Sequence, residues 1–488
     1  MDYEHVSVSI DCLTERGWGL GSYAPPSPAS AEKVEVIGGL PGDELLVRLC
    51  LKRRGKWRAD VCEVLTPSLM RVIPRCAHVP VCGGCTWQQM DYQVQLQEKQ
   101  RRIEEAFASL FQAHQTDFYP IVPCENPWEY RNKMEFTFSQ NRAQEKFLGL
   151  VIAGSRGHVL NLKECHLVKP WFMGLLQNIR IWWEKSGLDA YRMNDTGTLR
   201  TLVVREGKRT GDKLVMLTVS GNPSFALPKE QIHRFIQAAK ESLPEADWKR
   251  LSLFLRVQQI HKGSPTQFFE MHLHGPDHLL ETMHLTLDTQ VELQFKISPT
   301  SFFQPNTLQA EKLYSLALNR ISFPKRHVLD LYSGTATLAM AMASRAEKVT
   351  AIEINPHACC DAESNRELNQ LNNLEIICGD VGLKLRELQQ RPDFTPPDLV
   401  VVDPPRTGLD ATAMSHLKAL GPEEILYISC NFKTQALNIQ ELASFGYRLV
   451  QMQPIDQFPH TPHIENIAFL RRVIVGCQLQ HKICENLY

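Results

Sequence analysis

The sequence predicts an α/β protein whose C-terminal part is a doubly wound, mostly parallel sheet, preceded by a small β-barrel and a β-rich α+β centre. Three observations predict it. From about residue 307, short apolar β-branched runs alternate with helix-prone ones. Residues 1–70 break into short strand-like segments separated by Gly and Pro, and residues 128–285 mix strands with two helical runs. At 488 residues the chain exceeds one ordinary domain. The divisions fall at 1–70, 71–290 and 291–488.

In the first part, residues 6–12, 34–37, 44–50 and 59–65 read as strands, with Gly17, Gly19, Gly21, Gly38-Gly39 and Pro41-Gly42 as breakers. A five-stranded barrel fits that length, and residues 24–28 read as a plain loop. Lys52-Arg53-Arg54-Gly55-Lys56-Trp57-Arg58 places five positive charges around one indole. Such a run can neutralise phosphates while Trp57 stacks on a base, or it can be a solvated hairpin tip. Residues 88–111 then form a long helix-prone run without Pro or Gly.

The central part has strands expected at 133–138, 201–204, 213–219, 253–258 and 267–273, with helices at 171–185 and 229–242. In the last part the expected strands are 327–332, 348–354, 374–378, 398–402, 425–429 and 448–455. Helices are expected at 356–371, 411–420 and 434–444. A final strand at 464–472 is expected to complete the sheet, antiparallel at its edge.

Composition narrows the class. The chain is 43% hydrophobic and 22% charged with a formal net charge of −1, so any nucleic-acid partner must be met by a local basic surface. No stretch is apolar for long enough to span a bilayer, and the first residues lack the basic and apolar regions of a secretion signal. The expectation is a cytoplasmic protein. Its fourteen cysteines are then reduced thiols serving as ligands, nucleophiles or packing residues.

In an open α/β sheet, ligands sit beyond the carboxyl ends of the strands. There the first strand runs into Asp330-Leu331-Tyr332-Ser333-Gly334-Thr335, the second ends at Glu353, and the third at Gly379-Asp380. A carboxylate at Glu353 can accept both hydroxyls of a ribose, and a side chain at Asp380 can reach an adenine edge. Gly334 lacks the further glycines of a dinucleotide fingerprint. The pattern resembles that of the Rossmann-like S-adenosylmethionine methyltransferases, although taken alone this half also fits an α/β domain using another nucleotide, or none.

On the same rim the fourth strand ends Asp403-Pro404-Pro405-Arg406 and the fifth Ser429-Cys430-Asn431, while His463-Ile464-Glu465 lies downstream. A thiol, a carboxylate and a methyl donor suggest a particular chemistry. Uracil C5 is a poor nucleophile until a thiolate adds at C6 and makes an enolate; after methylation a base removes the C5 proton and the thiol leaves. Cys430 suits the nucleophile and Glu465 the base. A lone strand-end Cys is ordinarily inert core, and a lone Glu a surface carboxylate. Their joint occurrence is what weakens those plain readings.

Asp403-Pro404-Pro405-Arg406, Ser429-Cys430-Asn431 and His463-Ile464-Glu465 together resemble the RNA uracil-5-methyltransferases. Ser301-Phe302-Phe303-Gln304-Pro305-Asn306 is similar to the phenylalanine–glutamine–x–asparagine segment that precedes their cofactor sheet. The resemblance implies a Rossmann-like, S-adenosylmethionine-dependent domain with Cys430 as nucleophile and Glu465 as general base. It assigns cofactor contacts to Gln304, Tyr332, Thr337, Glu353, Asp380 and Asp403, and gives Arg406 a part in holding the active-site loop or substrate. Ala336 stands where relatives usually have a second glycine, and Pro305 where many have valine.

Cys76-x5-Cys82-Gly83-Gly84-Cys85, with Cys165 much later, gives four thiols able to hold zinc or an iron–sulfur cluster, and spacing alone does not choose. The set resembles the [4Fe–4S] ligands of the branch that acts on bacterial 23S ribosomal RNA. In that branch a TRAM barrel of OB type occupies the N-terminus, and Tyr130-Arg131-Asn132-Lys133 opens the central domain. The resemblance therefore implies large-subunit ribosomal RNA as substrate, its target base flipped out of the stack. Because methyl transfer moves no net electrons, the cluster is expected to be structural or RNA-positioning rather than redox-active, and the resemblance implies a monomer without an obligate protein partner. A transfer-RNA uracil-5-methyltransferase and a non-catalytic RNA-binding or ribosome-assembly factor are the alternatives.

Overall fold

Alternation of buried and exposed side chains builds the N-terminal barrel. Strands β1 (His5–Leu13), β2 (Gly19–Tyr23), β3 (Glu32–Ile37), β4 (Glu44–Arg53) and β5 (Lys56–Thr66) close in the order β1-β2-β3-β5-β4. Val8, Ile10, Val34, Val36, Leu45 and Val47 fill the interior, as period-2 patterning requires of a closed sheet. The computed structural model describes residues 5–24, 31–261 and 263–473. Residues 25–28 of the loop expected at 24–28, and Cys477 and Cys484, expected to be packing residues, lie outside the described residues.

The chain divides into two compact units that it enters more than once. One takes in residues up to 97, 125–279 and 458–462; the other takes in 98–124, 280–457 and the chain from 463. Helix α1 (Tyr92–Ala113) and strand β6 (Asp117–Phe118) fall mostly in the second. The helix starts later than residue 88 because residues 86–91 form a turn, with Asp91 Oδ1 accepting from the Gln93 amide at 2.9 Å.

The first unit continues with β7 (Lys133–Gln140), β8 (Lys146–Val151), β9 (Val159–Asn161), α2 (Pro170–Lys185), β10 (Leu199–Glu206) and β11 (Lys213–Ser220). Then come α3 (Lys229–Lys240), β12 (Leu251–Gln259) and β13 (Gln267–His274). These strands form a seven-stranded sheet, β13-β12-β11-β10-β7-β8-β9. Phe136, Leu202, Leu217 and Leu253 on one face meet Phe172, Ile179, Trp183 and Phe235 from the helices.

In the second unit, β14 (Leu279–Thr286) and β15 (Gln290–Ile297) pair as a hairpin before α4 (Thr307–Leu318). The alternating part follows: β16 (Lys325–Leu331), α5 (Thr337–Ala343), β17 (Ala346–Glu353), α6 (Pro356–Leu368), β18 (Leu374–Cys378), α7 (Val381–Gln389) and β19 (Leu399–Val402). It ends with α8 (Ala411–Leu420), β20 (Glu424–Ser429), α9 (Phe432–Ala443), β21 (Tyr447–Ile455) and β22 (Glu465–Arg472). The sheet order is β18-β17-β16-β19-β20-β22-β21-β6. The order reverses between β16 and β19, the topological switch point where an open α/β sheet holds its ligand.

One expectation needs correction. β22 is antiparallel, but it is not an edge strand: it lies between β20 and β21, and β6 forms the edge beyond β21. Its run Glu465-Asn466-Ile467-Ala468-Phe469-Leu470 is buried throughout, as an interior strand must be. Among the described residues no helix is long and apolar enough to cross a membrane.

Candidate active site

The last register pair of antiparallel β20 and β22 is Ser429 with Asn466. One position beyond it on each strand stand Cys430 and Glu465, so pairing alone brings two residues 35 apart in sequence side by side. Gln435 on α9 ties the two strands further. Its Nε2 donates to the carbonyls of Tyr427 (2.9 Å) and Asn466 (3.2 Å), and its Oε1 accepts from Asn466 Nδ2 at 2.7 Å. The Asp403–Arg406 loop is held against the Cys430 turn by Asn431, whose Nδ2 donates to the Arg406 carbonyl at 2.7 Å.

Burial and charge set the protonation of this group. Burial, then Glu465 and Asp403, push the Cys430 thiol up to about 11, while the charge and hydrogen bond of Arg406 pull the other way. Glu465, only 4% exposed, is raised well above the ordinary carboxyl range by burial and then by Asp403, with Arg406 again opposing. Burial lifts Asp403 to about 7. Glu465, Asp403 and the thiol raise one another and cannot all ionise together, which is the setting for proton exchange near neutral pH.

The remaining rim residues gather around the ends of β16 to β18. Glu353 accepts from the amides of Gly334 (2.9 Å) and Asn355 (2.7 Å), so its carboxylate is fixed in place. Gly334 has φ +57° with open space where a Cβ would stand. Ala336 has φ +59°, a left-handed conformation that strains a residue with a Cβ. A glycine at that position would adopt the same conformation without strain. Tyr332 points its hydroxyl at Asp410 (3.4 Å), Thr337 opens α5, and Asp380 caps α7 through the Leu383 amide at 3.0 Å.

A cofactor of the nucleoside class fits these residues. Ser333 Oγ and Asp330 Oδ1 are buried on this rim without a hydrogen-bond partner among the described residues. Asp330, Tyr314 and Gln457 escaped the sequence reading. Asp330 is pushed up to about 8 by burial and then by Asp403. Tyr314 on α4 has its phenol raised by burial and then by Asp403, and it hydrogen-bonds Gln304. Nothing local in a helix sequence marks such a residue; only its fold neighbours do.

The four cysteines of the first unit share one neighbourhood. Cys82 and Cys165 contribute to raising Cys76 and Cys85, although burial is the larger cause, and the two reach about 11 and about 12. Gly84 N–H donates to Cys82 Sγ (3.4 Å) and Gln88 Nε2 to Cys85 Sγ (3.5 Å), and the Arg131 guanidinium lies close to Cys85 and Cys165. Among the described residues no three His, Cys, Asp or Glu side chains are grouped to hold a single metal ion. In the barrel, Trp57 donates its indole N–H to Glu32 (2.6 Å), which also receives Lys52 (2.6 Å). The N–H edge of the indole is therefore engaged within the barrel.

A Rossmann-like sheet with a nucleoside-type rim and a thiol–carboxylate pair defines a class of methyl-transferring enzymes. Its sequence relatives narrow the class. The sequence pattern of the tRNA (Uracil-5-)-methyltransferase family matches residues 275–473. An RNA methyltransferase of Protochlamydia amoebophila is 46% identical over 443 residues, 90% of this chain and 99% of its own. One from Clostridium tetani is 33% identical over 445 residues, 90% and 93% of the two chains. The fold is similar to that of the Pyrococcus abyssi tRNA (uracil-54, C5)-methyltransferase with S-adenosyl-L-homocysteine: TM-score 0.67, 23% identity, 95% of this chain and 100% of the other. The chain belongs to the S-adenosylmethionine-dependent RNA uracil-5-methyltransferase family.

Proposed function

We propose that this chain methylates C5 of a uridine in large-subunit (23S) ribosomal RNA through a covalent adduct on Cys430. The observation that carries the reading is the placement of Cys430 and Glu465 one step beyond the Ser429–Asn466 pair, with Arg406 beside both. Arg406 favours the thiolate. The Cys430 sulfur then adds to C6 of the flipped base, and the displaced π electrons form an enolate that makes C5 nucleophilic. The bound S-adenosylmethionine supplies the electrophilic methyl. Glu465, made more basic by burial and by Asp403, takes the C5 proton, and the C6–S bond breaks to return the thiolate. Gln304, Tyr332, Thr337, Glu353, Asp380 and Asp403 are the residues that would hold the cofactor.

Ribosomal rather than transfer RNA is supported by the N-terminal barrel, read as a TRAM domain, and by the four cysteines, read as [4Fe–4S] ligands. Their raised thiols need a positive centre to become thiolates, and N–H donors already face two of the sulfurs. The same reading keeps the three-part division at 1–70, 71–290 and 291–488, a cytoplasmic location and a monomer without an obligate protein partner.

The test is trapping on 5-fluorouridine-containing ribosomal and transfer RNA fragments with S-adenosylmethionine, comparing wild type and Cys430→Ala. Fluorine at C5 cannot leave as a proton, so turnover stalls on the adduct. A denaturation-resistant adduct with ribosomal RNA, absent from Cys430→Ala, is expected. An adduct confined to transfer RNA would overturn the substrate assignment; no adduct on either RNA would leave the binding-factor alternative.

A further inference from the structure

One side-chain oxygen ties the strand that leads to Cys430 to the loop that carries Arg406. Asn438 on α9 accepts with Oδ1 from the Tyr427 hydroxyl at 2.9 Å and from the Leu409 amide at 3.0 Å. Tyr427 is fully buried on β20, three residues before Cys430. Leu409 lies three residues after Arg406. A backbone N–H can only donate, so the Leu409 contact fixes which end of the Asn438 amide faces the loop.

Further contacts hold the same loop against α9. The Arg406 carbonyl accepts at 2.7 Å from Nδ2 of Asn431, the residue after Cys430. Thr434 Oγ1 lies 3.3 Å from that carbonyl and 3.0 Å from the Asn431 carbonyl, so its one proton is shared. Thr434 and Asn438 are four apart and lie on one face of the helix. Between these anchors the Gly408 amide donates to the Pro405 carbonyl at 2.8 Å, with φ +79° at the glycine. A Cβ at 408 would stand 2.6 Å from Asn438 Oδ1, so glycine is what admits the oxygen here. The far end of the loop is fixed separately, by Asp410 accepting from the Thr412 and Ala413 amides at the start of α8.

A carbonyl oxygen has two lone pairs, and Asn438 commits one to each element. The spacing between β20 and the middle of the loop is therefore the span across a single atom. We propose that Asn438 is a positioning residue that sets the 403–410 loop, and Arg406 with it, in place beside Cys430. The proposal rests on the reading of Cys430 as the nucleophile, and Asn438 acts only through the loop and the strand.

The test follows alkylation of Cys430, by mass spectrometry of its peptide at a fixed pH near 8. It compares wild type, Asn438→Leu and Tyr427→Phe, each with and without Arg406→Met. Asn438→Leu removes the acceptor at nearly constant volume and is expected to slow alkylation about threefold. Tyr427→Phe removes one of the two donors and is expected to slow it about twofold; it decides alone where Asn438→Leu does not fold. In the Arg406→Met background each change adds less than about 1.5-fold, because the group being placed is gone. The exposed Cys360 and Cys378, followed in the same digest, keep their rates, which a general loosening would not allow. An unchanged or faster Cys430 rate, a loss that persists in full without Arg406, or faster reaction of the exposed thiols would overturn the positioning role. Wild-type protein that forms no adduct with 5-fluorouridine-containing RNA would instead remove the reading of Cys430 as nucleophile, whatever the alkylation rates.

Discussion

Lys99 and Asp456, separated by 357 residues in sequence, meet in a fully buried ion pair with 2.5 Å between Nζ and Oδ1. The pair fixes the start of the segment whose next residue, Gln457, supports Gln304. Burial pulls the Lys99 ammonium down, and Asp456 holds it up. Removing one partner strands the other charge. Lys99→Met is therefore expected to destabilise by about 3–5 kcal/mol, and Lys99→Met with Asp456→Leu to recover most of that. Urea unfolding measures both; a single-variant loss below about 1 kcal/mol would contradict the account.

The Cys430 thiol, held near 11, makes its reactivity a report on its neighbours. Alkylation at Cys430, followed by mass spectrometry of its peptide, is expected to rise steadily from pH 7 to 10 without a plateau. Arg406 is the neighbour that lowers this thiol, so Arg406→Met raises it further and slows alkylation about threefold to tenfold at fixed pH. A plateau below pH 8 would show that burial and the neighbouring carboxyls do not raise the thiol, and an unchanged rate in Arg406→Met that the guanidinium does not act on the sulfur.

Much of this site was legible because strand ends are legible. The β-branched run before Ser429-Cys430 marks a strand, and an α/β sheet puts its ligand at that end. What pattern cannot give is which strands are neighbours. β22 inserts between β20 and β21, and that insertion, not any local motif, makes Cys430 and Glu465 adjacent. Helix α5 was missed because it follows a Ser-Gly-Thr turn and is only seven residues long. Tyr314 looks like any helical aromatic until Asp403, 89 positions later, is folded against it.

The cysteine set carries a prediction about metal. Anaerobically purified protein is expected to hold about four irons with matching sulfide, lost in Cys85→Ser. Chelation is expected to lower the first unit's unfolding midpoint, since bound metal contributes to folding. One zinc per chain, or iron retained in Cys85→Ser, would rule out the four-cysteine cluster.

Asp330 carries a pH-dependent weakness built into the rim. Its Oδ2 accepts from the Ala339 amide at 3.0 Å, but Oδ1 has no partner among the described residues, and burial with Asp403 lifts its carboxyl from 3.8 to about 8. A carboxyl raised on folding binds more protons folded than unfolded. Its contribution is fully favourable below the unfolded value and is lost progressively as pH rises toward 8. Asp330→Asn removes the charge and nearly keeps the shape. Without cofactor it is expected to match wild type in unfolding midpoint near pH 4 and to exceed it by a few degrees at pH 8. Thermal unfolding across that range decides the matter. A gap that stays constant with pH would mean that Asp330 ionises as freely in the folded protein as in the unfolded chain. Asp330 would then not be an acid that burial and Asp403 keep protonated.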